Sequence, residues 1–443
     1  MQTSTALGAL VALSLLAACG DREVILPGKR EGVREVLGQE GDLAPVSDAA
    51  NRSVAAAMPA VSRNAAWTQA HGTPSSRTDH PALNANLTQV WSANIGQADK
   101  RRARITAQPV AEAGRIFTLD SAMTVTATSA SGATLWTADL TPLSDRPDQA
   151  SGGSLALGGG RLYVTSAFGV VAALDPATGQ TLWTQKLGNT GTGNPSFYEG
   201  VVYLVAGDTT AWALEADNGR VRWQIDGLSD INNVAGGPAP VVTPQRVIFG
   251  FGNAELQAAF RQGGLRLWSA GLPNLRRGLA IATVDDITGD PVAYGDTVYV
   301  GNQSGAFVAL NIANGERRWS APIGATGPAW VTSDSVYLVS DVNNLVRLDA
   351  ETGETVWSVD LPGYVERRKP QKRRDSSYVN YGPVLAGGHL VVPGSDGTIR
   401  LFNPADGALT GSVAVPGGAT AAPIVVDGTL YVVTGKGQLI AFR

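Results

Sequence analysis

Between Arg161 and Leu187 apolar and polar positions alternate in short bursts. Arg161–Thr165 and Gly169–Leu174 are rich in β-branched, aromatic and aliphatic side chains, the composition of strands. Asp175–Gly179 separates the second burst from a third with turn chemistry: Asp175 can bond its own backbone, Pro176 presets φ, and Gly179 accepts positive φ. Thr181–Gln185 then resumes as a strand around Trp183, and a shorter apolar run, Ser154–Leu157, precedes them all. The segment predicts four antiparallel strands, here called A to D.

The same layout recurs. An aromatic in strand B is followed 19 or 20 residues later by Trp in strand D: Phe117/Trp136, Tyr163/Trp183, Tyr203/Trp223, Phe249/Trp268, Tyr299/Trp319 and Tyr337/Trp357. A glycine stands four residues before each Trp, at Gly132, Gly179, Gly219, Gly264, Gly315 and Gly353. Successive Trp residues are 38 to 51 apart, so each unit is constant inside and variable at its joints. Small sheets linked by loops of variable length behave this way, and repeats of this size predict a β-propeller. The Trp is expected between neighbouring blades, where its area stabilises the ring.

A seventh repeat has the turn at Gly407 but Gly411 in place of Trp. An eighth begins near Thr420, carries Tyr431, and reaches Arg443 after strand C. One orphan D-like strand, Leu87–Ala93 with Trp91, lies far upstream. Joining it to the C-terminal strands hides two open edges. The expected fold is therefore all-β: an eight-bladed propeller of four-stranded antiparallel blades over residues 67–443, closed by an N-terminal strand. Seven blades is the nearest alternative.

The net charge of −4 argues against a nucleic-acid partner, which needs a broad basic surface. The one cysteine, Cys19, follows an apolar run from Ala6 to Ala18, too short for a membrane span and fitting a signal peptide over residues 1–18. Leu16–Cys19 resembles a bacterial lipobox, in which Cys19 would be lipidated; by resemblance to lipoprotein sorting, Gly20 favours the outer membrane over the inner. No Lys or Arg precedes the apolar run, a departure from the usual signal. Residues 19–66 are polar and without sustained period and read as a lipidated, flexible tether, and residues 67–86 as a loop leading into the orphan strand.

Candidate chemistry is sparse. His71, His80 and His389 are distant in sequence and lack metal-ligand spacing. Gly188–Gly193 is glycine-rich, but no helix pattern follows to make a phosphate cradle. The acidic cluster Asp285–Asp290 lacks the spacing of a calcium loop. Length variation falls mostly between D of one blade and A of the next, and all such loops share one face. That face would carry Lys100–Arg104, Asp230–Gly237, Leu275–Asp290 and the basic run Arg367–Arg374, which reads as a solvated loop or a contact for anionic lipid or an acidic protein patch.

The motif Asp175-x-x-Thr178-Gly179-x-x-x-Trp183 resembles the repeat of pyrroloquinoline-quinone (PQQ) enzymes. The lipobox, tether, length and split eighth blade together resemble the BamB family, a lipoprotein subunit of the machinery that inserts β-barrel proteins into the outer membrane. The resemblance covers nearly the whole chain. It implies a non-catalytic scaffold without a cofactor, lipid-anchored at the periplasmic face of the outer membrane. Its partner would be the periplasmic domains of the barrel subunit BamA, bound through D–A loops near blades three to five. The family's acidic loop ahead of a Pro-Val strand matches Asp286 with Pro291 and Val292; Asp285 adds a charge, and Thr288 stands where a second family Asp would be. The neighbouring family loop matches Val234–Pro240, so Val234 and Gly236 are expected at the interface. Ala235 stands where well-known members carry Arg, and Arg276 or Arg277 is the expected substitute.

Other readings are a PQQ-dependent dehydrogenase, whose members are usually longer and many of which carry adjacent cysteines, and a propeller that binds sugar or peptidoglycan through Trp67, Trp330, Tyr364, Tyr378 and Tyr381. Unfolded outer-membrane proteins are a further expected class of partner, pairing with an open blade edge.

Overall fold

Strands B and C of each blade are covered on both faces by neighbouring blades, and strand D lies at the rim. The sequence obeys this division: every residue of Val201–Ala206 is buried, whereas Thr181–Lys186 alternates between exposed and half-buried positions. The computed structural model describes residues 50–443, except 78, 148, 208, 229–235, 276–283, 285, 366–367 and 369–375. Among these residues there are eight four-stranded antiparallel sheets and no helix. Seven sheets follow chain order. In the eighth, Gln89–Asn94 pairs with Gln438–Phe442, Ser92 opposite Ile440, so the orphan strand closes the ring as expected.

Each Trp ties its blade to the next. Trp136 Nε1 donates to Pro176 O (3.1 Å), Trp183 to Ala216 O (2.9 Å), Trp223 to Arg261 O (3.1 Å), and Trp357 to Pro404 O (3.1 Å). Trp91 closes the series by donating to Ala130 O of blade one (3.1 Å). The indole lies flat on the turn glycine of the receiving blade; a Cβ on Gly219 would sit 2.5 Å from Trp183 Cε3. The constant spacing thus records two needs, a positive φ and a bare surface for the neighbour's ring. Within six of the blades the B-strand aromatic also meets its own Trp, with ring centroids 5.8–6.1 Å apart.

The joint between blades seven and eight is built otherwise. Gly411 holds the Trp register, opposite Leu401. Leu87, 8% exposed, stands two residues before its strand D, where other blades place the turn glycine. Bulk lost at Gly411 is replaced in part by Leu87 from blade eight and Leu401 from its own blade, leaving a cleft of about 250 Å³ beside Gly411 and His389.

Residues 67–86, expected as a connecting loop, form the hub of the ring. Trp67 pairs with Ala111 in blade one, Thr68 O accepts from Leu157 in blade two, and Gln69 Oε1 from Phe197 in blade three. Pro74 O and Ser75 O accept from Val242 and Ala293 in blades four and five. Trp330 Nε1 of blade six donates to Asp79 O, and Pro81 O accepts from Gly387 of blade seven. Asn64 completes the circuit at Asp427 of blade eight. Each contact lies at the A–B turn end of an A strand, so the segment closes that end of the central channel. Residues 50–66, read from sequence as the last part of the tether, run hydrogen-bonded along blades six, seven and eight into this hub.

Candidate functional site

The opposite end of the channel is open. Its mouth is a cavity of about 400 Å³ to which every D–A connection contributes, among them Gln108, Gly153, Asn194, Gly237, Asp286, Thr326, Asn380 and Ala421. Glycine lines it because backbone approaches backbone closely there: a Cβ on Gly153 would lie 2.2 Å from Thr165 O, and one on Gly193 2.4 Å from Val205 O.

Residues 286–288 are held from both sides. Ile287 is buried against blade four, Thr288 Oγ1 donates to Ala325 O (2.6 Å), and Gln303 N donates to Asp286 O (3.2 Å). This anchoring turns Asp286 inward, leaving it 5% exposed. Deeper in, Asp290 accepts from Ala239 N (2.9 Å) and from Asn194 Nδ2 (3.4 Å). Burial pushes the Asp290 carboxyl up to about 6, against the pull of the Ala239 N–H, Arg77 and Asn194. Arg77 belongs to the hub, its guanidinium between Trp330 (4.6 Å to the ring centroid) and Trp67 (5.7 Å). Burial lowers it to about 10, opposed by Asp290, so it remains a cation at neutral pH.

His71 is wholly buried beside this arginine. Burial first, and then Arg77, lower its pKa to about 3, against a backbone contact with Pro291. Above pH 6.5 the imidazole is neutral folded and unfolded; below it the unfolded chain takes up a proton that the folded chain refuses until about pH 3, so stability is lost across that window. Asp290 runs the other way, gaining a proton in the folded state near 6 and in the unfolded state near 3.8. His71→Gln should therefore flatten the fall in stability between pH 6.5 and 4, read as urea midpoints at each pH; an unchanged slope would show that His71 is not the group that resists the proton.

Of the residues expected at a partner interface, Gly236 (φ +108°) and Asp286 line the mouth, whereas Val234, Arg276, Arg277 and Asp285 lie outside the described residues, as do Cys19 and all of the basic run except Arg368. Asp286 is buried at the mouth beside Ile287, a residue to which no role was assigned and which packs into the core of blades four and five. Sequence reasoning also missed Asp290 as the charge that faces Arg77. Trp67 and Trp330, considered as sugar-stacking surfaces, are hub packing at 0% and 1% exposure, whereas Tyr364 is 57% exposed. Among the described residues no group of three His, Cys, Asp or Glu is placed to hold a metal ion. His80 is spent on the hub, with Nδ1 at 2.7 Å from Pro59 O and Nε2 accepting from Gly388 N (2.9 Å). The mouth can offer shape, backbone polarity and buried carboxylates to a docking surface.

Residues 121–359 and 345–443 match the profile of the family described as outer membrane protein assembly factor BamB. The protein of that name from Yersinia pestis is 25% identical over 362 residues, covering 80% of this chain and 88% of its own. Among solved structures, BamB from Moraxella catarrhalis superposes with a TM-score of 0.65 at 18% identity, covering 81% of this chain and 99% of that one. A quinohemoprotein alcohol dehydrogenase from Comamonas testosteroni reaches 0.66 at 17% identity over 86% of this chain and 81% of that one, a likeness of fold alone.

Proposed function

The chain belongs to the BamB family of outer membrane protein assembly factors, and from that membership we propose that it is a non-catalytic scaffold docking the periplasmic domains of the BamA barrel subunit on its D–A face. One observation carries the reading. All eight D–A connections meet around an open mouth on a rigid ring, while the other end of the channel is sealed by the chain's own hub segment. A scaffold of this kind offers one preorganised face, so little ordering cost opposes binding. The interface is proposed to include Val234, Gly236, Arg276, Arg277, Asp285 and Asp286, the last from its buried position at the mouth. Lipidation at Cys19 is proposed to hold the protein at the periplasmic face of the outer membrane, where several acyl chains would anchor it durably. Unfolded outer-membrane proteins are proposed as transient clients.

The test is affinity capture of the tagged full-length protein from detergent-solubilised outer membranes, with mass spectrometry of the captured partners and of the acylation state of Cys19. The expected result is recovery of the barrel-assembly subunits with an acylated bait. Asp285→Lys should lower recovery several-fold at low salt and less at high salt, because a rim charge acts mainly on the association rate. Intact, acylated bait without these subunits would reject the docking reading, and recovery of an unmodified Cys19 would reject the anchor.

A further inference from the structure

The repeat puts a methyl group opposite the blade Trp: Ala127, Ala173, Ala213, Ala258, Ala309 and Ala441 face Trp136, Trp183, Trp223, Trp268, Trp319 and Trp91. In blade six the residue facing Trp357 is Arg347, 2% exposed. Nothing in the ring demands a guanidinium where six other blades manage with alanine, so its burial must serve something outside the repeat.

Two of its partners are carbonyls of the incoming N-terminal segment, and the rest belong to blades six and seven. Arg347 Nη1 donates to Val54 O (2.5 Å) and Nη2 to Ala55 O (3.2 Å), while Nε donates to Ser335 Oγ (3.0 Å). Weaker donations reach Pro404 O (3.4 Å) and Ala405 O (3.3 Å) in blade seven, and the guanidinium carbon lies 5.9 Å from the Tyr337 ring centroid. Beside it, Asp334 Oδ2 accepts from Ala57 N (2.8 Å). Toward the rim the segment pairs with the outer edge of blade six. Arg52 N donates to Val356 O (3.0 Å), and the Asn51 side chain both accepts from Ser358 N (2.9 Å) and donates to Ser358 O (3.0 Å). Val54 N donates to Ala405 O (3.2 Å).

These are the elements of peptide recognition: a strand edge that takes main-chain hydrogen bonds, a planar cation that takes two successive carbonyls, and a carboxylate that takes an N–H. We propose that blades six and seven carry an extended-peptide site built on Arg347, Asp334 and the Val356–Ser358 edge, occupied in cis by residues 51–57. The site reads main chain more than side chains, since Val54, Ala55 and Ala57 contribute only backbone groups to it. Its effect is to fix where the N-terminal segment leaves the ring: at the rim of blade six, crossing to the hub on the side of the C–D and A–B turns. The D–A mouth is left uncovered. This assignment goes beyond the scaffold reading and does not require it, because it concerns the isolated chain.

Hydrogen exchange with mass spectrometry on the full-length protein tests it. In Arg347→Ala the amides of Arg52, Val54 and Ala57 should exchange at least tenfold faster than in the parent, and trypsin should cut after Arg52 correspondingly sooner. Strands B and C of blades six and seven should keep their protection. Arg347→Met, which keeps the apolar bulk and removes the donors, should release the segment equally, and Asp334→Asn should release the amide of Ala57 more than that of Arg52. Unchanged exchange over residues 51–57 in both Arg347 variants would overturn the proposal. So would a loss spread evenly through blades six and seven in both, which would make Arg347 an ordinary part of the blade core. Neither result depends on any assembly partner, so failure here is distinguishable from failure of the docking reading.

Discussion

Trp67→Ala should cost about 3–5 kcal/mol of unfolding free energy, the range for removing a fully buried aromatic from a packed core. The residue is 0% exposed and stands at the entry to the hub, with its N–H donating to Ala111 O (2.7 Å) and its carbonyl accepting from Ala111 N (2.8 Å). The backbone pair survives truncation, but the ring does not. Trp330 loses its aromatic neighbour at 6.4 Å, and Arg77 loses one of the two rings that flank its buried charge. A cation retained in a low-dielectric site after losing a stabilising face adds to the cavity term. Denaturant titration followed by tryptophan fluorescence would give the difference. A loss below about 1 kcal/mol would mean that the hub segment is not part of the cooperative core. The hub contacts A strands all round the ring, so the substitution is also expected to speed exchange in several blades at once.

Gly219→Ala should cost about 2–5 kcal/mol from two separable sources. The first is backbone strain: φ is +73°, a region that costs an L-residue about 1–2 kcal/mol. The second is the blade joint, since the new Cβ would lie 2.5 Å from Trp183 Cε3 and 2.9 Å from its Cδ2. The indole cannot retreat without stretching its hydrogen bond to Ala216 O, so blades two and three must part slightly. Overpacking of this kind typically costs a further 1–3 kcal/mol. Gly200→Ala is the control. Its φ is +78°, but nothing lies within 4 Å of the added methyl, so it should show the strain alone. Equal losses in the two variants would show that the flat contact between indole and glycine is not what limits the joint.

Both effects bear on what the chain discloses without its fold. Gly219 and Trp183 belong to different blades, yet each is legible from its own repeat, because the same contact recurs at successive joints and leaves a fixed spacing behind. The turn Asp175–Gly179, the buried B and C strands and the displaced strand around Trp91 are legible for a similar reason. Hairpin chemistry and two-residue periodicity are properties of neighbouring residues. The candidate site was read less completely. Gly236 and Asp286 were both expected at an interface, but nothing local announces that Asp286 is buried or that Ile287 next to it belongs to the core.

The hub and the Arg347 site left no periodic trace, and the reason is geometric. The segment from Trp67 to Pro81 touches blades one to seven in turn through different residues and different kinds of contact, so no spacing repeats within it. Arg347 is 292 and 293 residues from the carbonyls it binds most closely, and in the sequence it is one arginine in an ordinary strand. Short-range chain chemistry therefore set the blade, its turn, its Trp joint and the count of eight, since these depend on contacts that recur from one repeat to the next. Closure of the ring decided which end of the channel is sealed, which carboxylates are buried at its mouth, and where the N-terminal segment is held. Those outcomes depend on groups brought together across hundreds of residues, where burial and hydrogen bonding act on distance in space and not on order along the chain.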